Sequence, residues 1–107
     1  EADCRHVYNQ YCVRVRGGLR DHIQQQMREA KVGCAVYYPK PLHLQKCFAH
    51  LGYRLGQFPE AEAASKEILA LPIYPELPMA DQERVVGTLQ KIIRTAVPST
   101  QRIRRAA

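Results

Sequence analysis

The chain has 107 residues, 46% of them hydrophobic, 24% charged and 7% aromatic, with 16 Lys and Arg against 10 Asp and Glu for a formal charge of +6. That length bounds it to one small domain, able to bury well over half of the surface its unfolded form exposes without disulfides or metals. No run approaches the roughly 18 apolar residues of a membrane helix, and no basic start leads into an apolar stretch, so a soluble, cytoplasmic chain is expected.

Residues 6–16 alternate, with Val7, Asn9, Tyr11, Val13 and Val15 on one face and His6, Tyr8, Gln10, Cys12, Arg14 and Arg16 on the other. This period predicts a half-buried strand. Gly17-Gly18 breaks it, after which Leu19, Ile23, Met27 and Ala30 recur at helical spacing as far as Gly33, which is placed to cap the helix. Residues 34–38 are a short, mostly apolar run closed by Pro39 and Pro41, predicting a second strand that enters a stiffened loop.

From 42 to 58 periodicity fails, apart from a turn of helix around 45–50, and loops carrying groups such as His43, His50 and Tyr53 often serve function. Residues 60–70 predict a second helix, with Pro59 in its first turn, Ala61, Ala64 and Ile68 on one face, and acids where the helix dipole favours them. Residues 69–74 predict a third strand, assigned to an edge because Pro72 cannot donate to a ladder. Residues 81–96 predict a last helix with Val85, Leu89, Ile92 and Ala96 along one stripe. The order is that of a two-layer α+β domain, its helices packed on a small, mainly antiparallel, three-stranded sheet.

Eleven of the basic residues are Arg, which alone would suggest a polyanion surface. Half of the excess charge, however, comes from Arg102, Arg104 and Arg105 in the acid-free stretch 98–107, a basic tail expected to be solvated and flexible. No RNA-binding signature, zinc finger or helix-turn-helix spacing accompanies the tyrosines, so neither nucleic acid nor a membrane is an expected partner. Cys4, Cys12, Cys34 and Cys47 show no close CxxC spacing and read as reduced thiols, with no metal site implied.

Two clusters carry polar chemistry. His6, Tyr8 and Asn9 bring an imidazole, a phenol and an amide together at the start of the first strand, where they either bind a polar ligand or line its solvent face. Tyr38, Lys40 and His43 stand in the proline-stiffened loop, whose rigidity lowers the entropic cost of binding and serves a structural crossover equally well. No Gly-rich phosphate loop, zinc-protease motif or nucleophile elbow is present, so the residues alone lead to a small binding-competent domain.

Several collinear segments add to this: His6-Val7-Tyr8-Asn9-Gln10-Tyr11, Lys31-Val32-Gly33, Tyr38-Pro39-Lys40-Pro41-Leu42-His43-Leu44-Gln45, Leu51-Gly52-Tyr53, Phe58-Pro59-Glu60-Ala61-Glu62, and the run from Leu69-Ala70-Leu71-Pro72 to Pro75-Glu76-Leu77. Together they resemble the C-terminal small domain of the DegT/DnrJ/EryC1/StrS family, fold-type I sugar aminotransferases that use pyridoxal phosphate on nucleotide-linked keto sugars. The resemblance implies that residues 1–97 form that domain. It also implies that a larger N-terminal domain carries the cofactor lysine, and that the active site is assembled with a homodimer partner. Consistent with an excised piece, the chain starts at Glu1 rather than Met with no leader in front of its first strand.

By the same resemblance no catalytic residue is expected here, since none of Lys31, Lys40, Lys46, Lys66 and Lys91 matches the cofactor lysine; pyridoxal phosphate belongs to the parent and not to this fragment. His6, Tyr8 and Asn9 are the first candidates for contact with the nucleotide-sugar substrate or the partner subunit. Tyr38 and His43 come second, and Lys40 is a candidate for a phosphate or carboxylate. The proline loop looks most like that of members acting on UDP-linked 3-keto sugars or uronates in surface polysaccharide synthesis. The rival expectation is a free-standing binding or interaction module without catalytic activity.

Overall fold

The computed structural model describes residues 3–96. Its sheet has two strands, β1 (Tyr11–Arg14) and β2 (Ile68–Leu71), paired antiparallel with Tyr11 opposite Leu71 and Arg14 opposite Ile68. Pro72 explains where the pairing stops: it follows Leu71 directly and has no N–H to offer the residue opposite. Residues 6–10 therefore lie outside the sheet and are exposed, and the strand expected over 6–16 shrinks to four residues. One further bond, from the Val15 N–H to the Glu67 carbonyl at 2.7 Å, extends it inward. Of the predicted inner face, only Val13 and Val15 turn to the core.

The strand expected over 34–38 is reduced to one bridge, in which Ala35 and Ala70 exchange bonds of 3.1 and 2.8 Å. Antiparallel ladders bond every second residue, so this one would have to continue through Pro72 at one end and Ile68 at the other. Pro72 lacks the donor, and the Ile68 carbonyl accepts from Arg20 Nη1 at 3.1 Å. Among the described residues there are two strands and a bridge instead of three strands. The edge assignment of the third predicted strand is corrected as well: β2 lies between β1 and Ala35, with Pro72 just past its end.

Three helices complete the architecture: α1 (Arg20–Glu29), α2 (Pro59–Glu67) and α3 (Met79–Ala96), with short 3-10 turns at Leu42–Leu44 and Lys46–Leu51. The apolar spacing of α1 buries Ile23 and Met27, while Ala30 is exposed. Its C-terminus is not closed by Gly33. Lys31 takes the left-handed conformation at φ 61°, its N–H bonds the Arg28 carbonyl at 3.0 Å, and the Val32 N–H bonds the Met27 carbonyl at 2.9 Å. That is a Schellman closure with Val32 as its buried apolar partner, built on a residue that pays a steric cost glycine would avoid.

Pro59 opens α2 at a position where its missing N–H has no intrahelical role, and at its other end the helix passes into β2 without a loop. Ile23, Met27 and Leu69 are almost fully buried, joined by Val15, Val32, Leu71, Val85 and Ile92 where α1 and α3 pack on each other and on the sheet. Arg20 locks this layer to α2: buried itself, it gives Nη1 to the carbonyls of Ser65 and Ile68 and Nε to Asp21 at 2.6 Å. Those carbonyls belong to the end of α2, where backbone acceptors lack helical donors and the dipole favours a cation. Among the described residues no helix is long and apolar enough to cross a membrane. The basic stretch 98–107 lies outside them.

Candidate functional site

The predicted stripe of Ala61 and Ala64 on α2, with Ile68 at the start of β2, does not face the main core. It forms one wall of an open groove of about 530 Å³. Tyr38, Pro41, Leu42 and His43 of the proline loop line the same groove, together with Phe48 and Leu51 of the second 3-10 turn. Bonds within the loop hold it in shape: the Leu44 N–H reaches the Pro41 carbonyl, and Gln45 Nε2 reaches the Lys40 carbonyl at 3.1 Å. The lining is almost wholly apolar, yet Leu42 and Tyr38 remain 56% and 58% exposed.

The polar centre of this groove is a pair that the sequence reading did not assemble. Nε2 of His43 lies 3.1 Å from Oε1 of Glu62, both side chains being close to fully buried. The same Oε1 accepts the Gly56 N–H at 2.7 Å. Phe58 packs its ring on His43 with centroids 4.8 Å apart, and Tyr53 meets Phe58 edge-on at 5.2 Å. Burial acts to raise the Glu62 pKa, but the Gly56 N–H, the His43 ring and the Phe58 N–H outweigh it and hold the carboxyl below the usual glutamate range.

Glu62 was visible in the sequence only as an acid in the first turns of a helix. Glu62 and Ser65 lie three apart and share one buried face of α2, but as two polar residues they gave no signal of that burial in the sequence. A carboxylate on such a face requires partners, and the nearby loop supplied them.

The candidate residues fall into separate places. Tyr38 and His43 share the groove, whereas the exposed Lys40 lines neither the groove nor either of two neighbouring hollows. The His6 and Tyr8 rings lie 4.3 Å apart, tilted by 46°, with the Tyr8 N–H bonding His6 Nδ1 at 2.8 Å while Tyr8 sits in the left-handed region at φ 52°. Tyr8 borders a hollow with Tyr11, Ile73 and Tyr74, and Asn9 lines another with Cys34 and Tyr37. Tyr37 lines the groove too, and so connects it to the hollow of Asn9.

All five lysines are exposed, and none lines the groove or the two hollows. Partial burial raises the pKa of the Cys34 thiol above its ordinary value. Among the described residues no cluster of three or more His, Cys, Asp or Glu is placed to hold a metal ion.

Comparison with known proteins identifies the fold's relatives. The profile of the DegT/DnrJ/EryC1/StrS aminotransferase family matches residues 1–90. A pleiotropic regulatory protein of Geobacillus stearothermophilus is 47% identical over 95 residues, covering 88% of this chain and 25% of the relative. The UDP-N-acetyl-3-dehydro-alpha-D-glucosamine 3-aminotransferase of Acidithiobacillus ferrooxidans is 31% identical over 93 residues, or 87% of this chain and 23% of the relative.

Among solved structures, S. venezuelae DesV in complex with a ketimine intermediate superposes with a TM-score of 0.75 at 26% identity, over 81% of this chain and 23% of that one. A Brucella abortus member superposes at 0.67 with 33% identity, over 77% of this chain and 21% of that one. The chain spans about a quarter of the length of the curated relatives it matches. With the profile covering most of its length and the same backbone arrangement in solved members, this chain belongs to the DegT/DnrJ/EryC1/StrS aminotransferase family.

Proposed function

We propose that residues 1–97 are the C-terminal small domain of a pyridoxal-phosphate-dependent sugar aminotransferase, which transfers an amino group to a keto sugar on a nucleotide carrier. In that reading the domain forms one wall of an active site completed by a larger domain and by the second subunit of a homodimer. The observation that carries it is the groove: an apolar surface whose aromatic lining stays half exposed, on a chain spanning about a quarter of its relatives' length. Apolar surface of this extent on a small domain marks a contact with another body.

The chain's own residues have binding and shaping roles. His43 and Tyr38 offer an imidazole and a phenol in an apolar setting, where each hydrogen bond to a polar substrate group is worth more than in water. Lys40, exposed on the stiff loop, is available to a phosphate or carboxylate of the substrate. His6, Tyr8 and Asn9 offer hydrogen-bonding groups outside the groove, toward substrate or partner subunit. Pyridoxal phosphate, held elsewhere in the parent, supplies the amino-group chemistry; no step runs through this chain's lysines.

The test is borohydride reduction of the 107-residue chain with pyridoxal phosphate, beside the parent that includes the upstream domain. A stoichiometric pyridoxyl adduct at one lysine is expected in the parent and not in the chain alone. Such an adduct on the chain alone overturns the proposal, as does a reading frame that starts at a Met directly before Glu1, which favours the free-standing module.

A further inference from the structure

The Glu62 contact in the groove constrains which edge of the His43 ring remains for a ligand. Oε1 of Glu62 accepts the Gly56 N–H at 2.7 Å, so that oxygen acts as an acceptor, and the same atom faces Nε2 of His43 at 3.1 Å. An acceptor opposite Nε2 forms a hydrogen bond only if Nε2 carries the proton. In the neutral imidazole the other nitrogen, Nδ1, is then bare and can only accept. The Phe58 ring packed against the imidazole, together with near-complete burial of His43 and Glu62, opposes rotation of the ring.

We propose that Glu62 is a positioning residue: it fixes His43 as the Nε2–H tautomer, so that the groove presents Nδ1 as a hydrogen-bond acceptor for a hydroxyl or amine of a bound ligand. The role given to His43 as a ligand contact rests on the proposed function; the tautomer does not. The Gly56 N–H is part of the device, because a donor aimed at Oε1 favours the form in which that oxygen carries no proton. A Gln at position 62 would keep the shape and still accept from Gly56 through its carbonyl oxygen. Reversing the amide would set its NH₂ against the Gly56 N–H, donor facing donor, so Gln keeps an acceptor at Nε2, whereas Ala removes it.

The experiment is nitrogen-resolved NMR of the imidazole side chains in the 107-residue chain at a pH where His43 is neutral, for the wild type, Glu62→Gln and Glu62→Ala. Amide spectra confirm that each variant keeps the fold. In the wild type His43 is expected to show protonated Nε2 and bare Nδ1 as one dominant form. In Glu62→Gln that form is expected to persist, and in Glu62→Ala, which leaves Nε2 without its acceptor, the opposite tautomer is expected to rise at least several-fold. If Glu62→Ala does not fold, Glu62→Met, of similar length and without a carboxylate, decides in its place.

A wild-type ring protonated at Nδ1, or a tautomer ratio unchanged in a folded Glu62→Ala or Glu62→Met, overturns the positioning role. Because the spectra need neither cofactor nor second subunit, that result leaves the proposed place in a larger aminotransferase intact. The borohydride test, conversely, can fail without changing the tautomer.

Discussion

The two sides of the domain are held together by different forces. Where α1 and α3 meet the sheet, Ile23, Met27 and Leu69 are at most 1% exposed, and the side chains around them are apolar. On the groove side Phe48, Leu51 and Tyr53 are 38%, 53% and 46% exposed, and the loop is braced instead by the His43–Glu62–Gly56 contacts and by backbone turns. Burial of apolar area is nondirectional and close to additive, whereas a polar brace fixes geometry while contributing little net stability. The first side makes the domain fold. The second holds a surface in shape without covering it.

Deleting core volume should give the largest effect. Leu69→Ala and Met27→Ala remove nearly fully buried side chains, and each is expected to lose about 2–5 kcal/mol of unfolding free energy in urea titrations. A loss below about 1 kcal/mol would mean that the packed side is not where the stability lies, and the contrast between the two sides would collapse.

Arg20 tests the seam between them. Arg20→Ala leaves the Ser65 and Ile68 carbonyls without their cationic donor at the end of α2, and a loss of about 2 kcal/mol is expected from charged hydrogen bonds of this kind. The freed Ile68 carbonyl also tests the sheet argument. Amide exchange protection at Tyr37 should rise if Arg20 is what stops the ladder at Ala35, and stay low if Pro72 alone is responsible.

The acid limb probes the groove side. The folded-state pKa of Glu62 lies below its ordinary value, so its contribution is present in full above the usual glutamate range and is lost as pH falls through the folded value. The stability difference between the wild type and Glu62→Gln is therefore expected to shrink on acidification below that range. A difference independent of pH would show that the carboxylate does no electrostatic work there.

A smaller effect of the opposite sign is expected at the end of α1. Lys31 holds φ 61° in the Schellman closure, and Lys31→Gly should raise stability by about 1 kcal/mol by removing the clash of its Cβ, read as a higher urea midpoint. The gain falls on the packed side, whose defect is in the backbone and not in its side chains.

The same division decides what was legible in the sequence. The helix stripes of Ile23 and Met27 in α1 and of Val85 and Ile92 in α3 are periodic because one face of each helix is buried, and a pattern of that kind can be read without a structure. The strands were over-read, because alternation in residues 6–10 reports only local preference, while pairing ends at a proline some sixty positions later in the chain. Capping at Lys31 broke the expectation of glycine, and nothing local announces that a lysine will accept a positive φ. At the candidate site His43 and Tyr38 were found from residue type and from the stiffness of their loop. Glu62 was not, since its meaning depends on a contact between positions 43 and 62 that no spacing rule supplies.

The smallest expected effect is the one that most directly separates a folding surface from a waiting one. Leu51 is 53% exposed at the groove, and Leu51→Ser should change the unfolding free energy by no more than about 0.5 kcal/mol, because little of its area leaves water on folding. The same variant should weaken concentration-dependent self-association in light scattering, since an uncovered apolar wall is what drives such contacts. A loss of about 2 kcal/mol would instead place Leu51 in the core and make the groove a poorly packed interior. Unchanged stability together with reduced association identifies it as a surface shaped by this chain and covered by another body.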